Sequence, residues 1–312
     1  MLKTKKNQKT LFVFFKLILF AAVIFVLYAQ LDKIDGIKWD AFNLAHPSML
    51  VIVTLLVVIN IGIAFEKWKL TLKTIGIATE KSQRVQSFFA GIVTGMLTPN
   101  MLGNFIGRFY YFDRKNRIQI TLFTLLSNFA QFIASITFGW IAVLSFGGLI
   151  IWQNEKQLIL WIGIGMIASY LVYFFIDNFL LKVKKKNYAK EFVQLLNENK
   201  RYRTKLLMLS FARFLVFTAQ FSLLLFAFGE ELNLNLMIAI WQVYLLTIIA
   251  PSLFLGKIGI KESISLFVLG AIGINEFSIL FASLFIWFIN SFLPAIIGVI
   301  VCKSKFDLWK QS

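Results

Sequence analysis

The stretch Thr98-Pro99-Asn100-Met101-Leu102-Gly103-Asn104-Phe105-Ile106-Gly107-Arg108 breaks a long apolar run. Its grammar returns at Ala250-Pro251-Ser252-Leu253-Phe254-Leu255-Gly256-Lys257-Ile258-Gly259-Ile260-Lys261-Glu262. In both copies a proline is followed by a Leu-Gly pair, and a second glycine stands eight residues past the proline. A cation follows that glycine: Arg108 in the first copy, Lys261 in the second. Proline ends a helix by removing a backbone donor and crowding the preceding turn. Glycine permits a sharp reversal and close approach of two backbones. Paired interruptions at matching places in two halves of an apolar chain point to the substrate site of a membrane transporter.

Composition fixes the class around these breaks. Of 312 residues 59% are hydrophobic, 35 are phenylalanine and only 15% are charged. The apolar residues come in long runs, so the chain is expected to be an all-α, polytopic helical membrane protein. The formal charge of +17 lies between apolar runs, as loops retained on the cytoplasmic side require, and is not read as a nucleic-acid surface. One cysteine, Cys302, and one histidine, His46, leave no disulfide within the chain and no Cys- or His-based metal cluster. Neither metal nor cofactor is expected, although a carboxylate site for a hard cation stays open. No phosphate-binding loop and no Ser/His/Asp arrangement is found, so the protein is not expected to be an enzyme.

Run lengths and charges set the topology. Full spans are expected at 11–29, 48–65, 118–144, 158–176, 206–228 and 277–301. The first, led by lysines in residues 1–9, reads as a retained signal anchor. Two shorter, broken regions lie at 88–111 and 236–273. The first is flanked by a basic loop with Lys67, Lys69, Lys73, Lys81 and Arg84, and then by Arg108, Arg114, Lys115 and Arg117. Both loops fit the cytoplasmic side only if the region between them enters and leaves by one face, as a re-entrant hairpin. The second is flanked by Glu230, Glu231, Asn275 and Glu276, suited to the outer side. Six spans and two hairpins then put both termini in the cytoplasm and make the hairpins dip from opposite faces, an inverted-topology repeat. Within a single membrane domain, 1–312, residues 1–146 form the first half and 147–181 the connecting span. Residues 182–205 are a basic cytoplasmic loop and 206–303 the second half. Residues 182–205 are also expected to form a short basic amphipathic surface helix, with Tyr188, Phe192, Leu195 and Leu196 on one side, suited to anionic lipid headgroups.

Candidate site residues follow from the hairpins. A helix starting at mid-membrane turns unpaired N–H groups and its positive end toward a cavity, and such an end suits a phosphate or carboxylate. The candidates are Pro99, Asn100, Gly103, Asn104, Gly107 and Arg108, with Pro251, Gly256, Lys257, Gly259, Lys261 and Glu262. Glu262 is placed to pair with a lysine, because lone ions at depth are costly. Snorkelling to headgroups is the competing reading for the cations. Asn128 and Gln131 on one span, and Arg213 and Gln220 on another, repeat at helical spacing and are cavity-lining candidates. Polar residues that merely join helices give the same pattern.

These motifs, with Asn60 and Glu66-Lys67-Trp68-Lys69, resemble the transmembrane region of the lysylphosphatidylglycerol synthases, a flippase-like family, over residues 10 to 303. Relatives usually carry glutamate at the position of Asn104 and arginine at that of Lys261. The resemblance implies translocation of a phospholipid or polyprenyl-phosphate-type lipid across the inner membrane, with anionic headgroups as partners. It also allows a membrane-associated transferase as a partner. The synthases add a soluble aminoacyltransferase domain, so a chain ending at Ser312 looks like the membrane half alone. Transport of a small soluble anion and a non-transporting role beside a glycosyl- or acyltransferase stay open.

Overall fold

The computed structural model describes residues 44–98, 103–150, 152–153, 156–182, 187–250 and 259–302. The expected span at 11–29 lies outside them, as do Pro99, Asn100, Pro251, Gly256 and Lys257. Apolar runs free of proline produce the long elements. These are α1 (Ser48–Ile75), α4 (Arg117–Ser145), α5 (Lys156–Lys182) and α7 (Arg201–Ala227). A composite helix closes the chain: α10 (Glu276–Trp287), a π-helical stretch Phe288–Phe292, and α11 (Leu293–Val301). Each of the five is long and apolar enough to cross a membrane. Helix α5 turns Leu160, Trp161, Ile164, Ile167 and Leu171 outward, and α1 exposes Val51, Leu55 and Val58. Faces so apolar are stable against lipid tails rather than water.

Helix α1 runs ten residues past the expected end at 65. Between residue 65 and Gly76 there is no glycine or proline, and Gly76 caps the helix at φ 76 and closes back on the Leu72 and Lys73 carbonyls. Lys67, read from sequence as a loop residue, therefore sits inside a helix and is buried. The π-helical turn was also unforeseen. Pro294 cannot donate to the carbonyl four residues back, that of Asn290, and a widened turn there accommodates the loss.

Both broken regions fold as antiparallel hairpins. The first consists of α2 (Lys81–Met96) and α3 (Asn104–Phe109). The Thr98 hydroxyl accepts from Gly103 N–H at 2.7 Å, and the Thr94 hydroxyl accepts from Gly107 N–H at 3.0 Å. At the base, Gln83 Nε2 donates to the Tyr111 carbonyl at 2.6 Å, so the chain leaves beside the point where it came in. The second hairpin is α8 (Leu234–Ile249) and α9 (Ile260–Gly270). Asn275 N–H donates to Glu230 at 3.1 Å and closes its base in the same way.

The two bases lie at opposite ends of the bundle. His46 N–H meets the Ala227 carbonyl at 3.1 Å, setting the start of α1 beside the end of α7, close to Glu230. The Tyr173 hydroxyl donates to Arg203 O at 2.9 Å, setting the end of α5 beside the start of α7. Gln119, near the start of α4, bonds Tyr188 O and Glu191 of α6 (Asn187–Glu198). The first hairpin thus opens at the lysine- and arginine-rich end and the second at the acidic end. A short antiparallel ribbon, β1 (Gly148–Leu149) with β2 (Trp152–Gln153), links α4 and α5.

Helix α6 is amphipathic as expected, but its apolar face turns inward. Phe192 and Leu196 are buried with Phe123, Tyr202 and Leu206. Protein outcompetes headgroups here because an aromatic wall is available: the Phe192 ring lies edge-on to Phe123 at 4.8 Å.

Close approach of α2 and α3 depends on glycine. A methyl on Gly107 would collide with the Ala90 carbonyl, and one on Gly91 would come within 2.8 Å of the Arg108 side chain. Gly107→Ala should therefore lower stability by about 1–3 kcal/mol through overpacking. Gly165→Ala, where an added methyl meets nothing within 4 Å, should be neutral or slightly stabilising. Thermal unfolding in detergent reads both, and equal midpoints would mean that α2 and α3 do not touch.

Candidate anion-binding site

Three buried or half-buried cations converge where the first hairpin meets the bundle. Helix α1 supplies Asn60, Lys67 and Trp68, which share one face at spacings of seven and eight. Lys67 Nζ donates to Ser210 Oγ at 2.8 Å and to the Ser127 carbonyl at 3.2 Å. Helix α3 supplies Arg108, only 9% exposed. Its guanidinium lies 4.7 Å from the Trp68 ring centroid and 6.0 Å from that of Phe88. Snorkelling is excluded for this arginine, which points into protein and stacks on an aromatic face. Trp68 is itself held by a bond from its indole N–H to Ser87 Oγ at 3.1 Å.

Helix α7 supplies Arg213, the thirteenth of its 27 residues, roughly 20 Å from either end of the helix. Arg213 Nε donates to Asn60 Oδ1 at 2.8 Å. The Asn60 amide donates onward to Asn290, Asn290 to Gln220 at 3.0 Å, and Gln220 to the Val53 carbonyl at 3.0 Å. This relay of amides runs in one direction and ends on backbone. The π-helical turn is what delivers Asn290 to it.

Lys67 reaches Ser210 on the helix that carries Arg213, Arg213 reaches Asn60 on the helix that carries Lys67, and Arg108 stacks on Trp68, the residue after Lys67. Among the described residues no carboxylate forms an ion pair with any of them. Arg108 Nε is buried and has no acceptor. Neutral amides stand on the same helices: Asn104 and Asn128 exchange amide bonds at 3.0 and 3.1 Å, and Gln131 Nε2 donates to Ser210 O at 3.3 Å. Removing a charge from water costs several kcal/mol per ion unless a partner is supplied. An arrangement with three cations and no anion has the chemistry of a receptor for phosphate or carboxylate.

The second hairpin has a different neighbourhood. Lys261 Nζ donates to the Tyr244 hydroxyl at 3.1 Å and lies 4.8 Å from the ring centroids of both Phe221 and Tyr244. Phe217 packs on Tyr244 at 4.8 Å. Glu262 is fully buried and caps its own helix, accepting from Gly259 N–H at 2.6 Å, while its Oε1 has no partner. Gly259 takes φ 83, which a side chain would strain. Among the described residues Arg108 and Lys261 share no partner.

Of the candidates read from sequence, Arg108 and Arg213 belong to the trio, Gln131 bonds Ser210 O beside Lys67, and Gln220 belongs to the relay, while Gly103 and Gly107 hold the first hairpin together and Asn104 ties it to Asn128. Gly259, Lys261 and Glu262 lie at the aromatic box. Sequence reasoning noted Asn60, Lys67 and Trp68 as markers of the family resemblance but not as site members, and missed Asn290 and Tyr244 altogether. The seven-residue spacing of Asn60 and Lys67 was the available signal for α1. A lone amide four residues before a proline was the signal for Asn290.

Helices of this length and apolarity, with two hairpins packed among them, define a multi-pass α-helical membrane protein. The family model for the lysylphosphatidylglycerol synthase TM region matches residues 13–298, and the chain belongs to that family. No curated protein and no solved structure matches it.

Replacing an unpaired buried charge by an apolar isostere is commonly neutral or stabilising. Lys67→Met should therefore leave the thermal midpoint unchanged or raise it. Asn60→Leu orphans Arg213 Nε and the Asn290 carbonyl and should cost about 1–3 kcal/mol. A large destabilisation by Lys67→Met would mean that its charge is already compensated.

Proposed function

We propose that the protein moves a lipid with an anionic, phosphate-bearing headgroup across the bacterial-type inner membrane, without covalent chemistry. The single observation that carries this reading is the trio Lys67, Arg108 and Arg213, buried or half-buried within the helices and, among the described residues, without a carboxylate partner. Membership of a family described by a lipid-modifying synthase supports the substrate class. The two hairpins, opening at opposite ends of the bundle, support an inverted repeat in which the site is reached alternately from either leaflet. In the same reading there are six spans and two re-entrant hairpins, and both termini lie in the cytoplasm with the basic end.

The headgroup phosphate would exchange its water for guanidinium and ammonium donors while the acyl chains stay among lipid tails. Arg213, near mid-bundle, is the central contact. Asn60 orients it, and the Trp68 ring holds Arg108 in a fixed plane. Asn104 matters by being neutral, since a glutamate there would compensate the trio and compete with the headgroup.

The test is headgroup-labelled phospholipid in vesicles reconstituted with the full chain, read by dithionite bleaching of the outer leaflet. Arg213→Gln should slow exposure of inner-leaflet label roughly tenfold or more, since a charged hydrogen bond is worth about 1.5–3 kcal/mol. Unchanged flipping in Arg213→Gln and in Arg108→Gln would sink the reading. Uptake of labelled inorganic phosphate without lipid movement would replace the lipid by a soluble anion.

A further inference from the structure

A second basic site lies on the outer face of α1, away from the trio. The turns of α1 that bury Lys67 and Trp68 present Glu66, Lys69, Leu70 and Lys73 on another side, at spacings of three, four and seven. Together with Arg84 at the start of α2 and Lys205 on α7, they border an open groove of about 800 Å³. Four cations line it against one carboxylate, Glu66, which is already engaged by Lys69 at 2.5 Å. Arg84 lines the groove as well, and among the described residues its buried Nε has no acceptor.

The groove is not a purely polar one. Leu70, Leu72, Met208 and Leu209 line it as well, and Met208 is 64% exposed. Along α7 the exposed stripe runs from Lys205 through Met208 and Ala212 to Leu215, from a cation to apolar residues on one helical face. That sequence of surfaces matches a phospholipid, phosphate first and acyl chain after. A soluble anion would satisfy the cations and leave the apolar stripe bare.

We propose that this groove is a binding site for an anionic phospholipid of the leaflet at the basic end of the bundle. Its phosphate lies among Lys73, Arg84 and Lys205, and its chain lies along Met208 and Leu215. Basic pockets between membrane helices commonly hold such headgroups. The site is separate from the trio and holds its lipid whether or not that lipid is moved.

The experiment is native mass spectrometry of the full chain in detergent, titrated with phosphatidylserine or phosphatidylcholine. Wild type should retain one phosphatidylserine tightly and phosphatidylcholine far less. Lys73→Gln with Lys205→Gln should weaken that retention roughly tenfold or more, since each lysine facing an anionic headgroup changes affinity several-fold. Met208→Glu, at an exposed position the fold tolerates, should weaken it as well by repelling both phosphate and chain. Lys190→Gln with Lys200→Gln removes the same charge from exposed positions outside the groove and should change nothing. Arg213→Gln should keep this lipid even as flipping falls, which separates the groove from the proposed transport. Equal weakening by the control pair, equal retention of phosphatidylcholine, or displacement by millimolar inorganic phosphate would overturn the proposal.

Discussion

The convergence of Lys67, Arg108 and Arg213, with no ion-pair partner among the described residues, is the constraint on which the site depends. Like charges brought together in a low-dielectric interior drive their own side chains apart and favour neutral forms. The protein counters this with neutral ligands: a serine hydroxyl and a carbonyl for Lys67, an aromatic face for Arg108, and a train of amides for Arg213. None of these cancels charge. They hold the cations in position while leaving their field available, which is what a site for a mobile anion requires.

The helices around the trio are held by contacts that need small residues. Gly107 lets α3 lie against the Ala90 carbonyl, and Gly139 lets α4 approach Leu245 of α8. In lipid, close packing and hydrogen bonds replace the hydrophobic drive that water supplies. The hydroxyls of Thr94 and Thr98 illustrate the second device by taking N–H groups from the returning strand of the hairpin. Backbone that leaves helical geometry at depth must be satisfied in this way, because no solvent is there to do it.

Much of the architecture was legible in hydropathy and charge. All five long helices fall where apolar runs predict them, and the two proline-glycine breaks do separate helix pairs. Helix ends were harder to read. Charges at 66–73 suggested a loop, but only a breaker stops a helix, and the first one is Gly76. The site was half legible for the same reason. Arg108 and Arg213 stood out as cations inside apolar runs, while Lys67 was hidden among the lysines that follow it. Asn290 needed a backbone event, the π-helical turn before Pro294, that no side-chain periodicity announces. The inward face of α6 depended on Phe123 and Tyr202, residues distant in sequence, so its amphipathic pattern alone could not choose between lipid and protein.

Each hairpin has a hydrogen bond across its foot, Gln83 to Tyr111 in one and Asn275 to Glu230 in the other. Mechanically these are clasps. A loop pinned at its neck confines displacement to the part beyond the pin, and the adjoining long helices are spared the torque. Either arm can therefore be loaded at its far end while the frame that carries it stays in register.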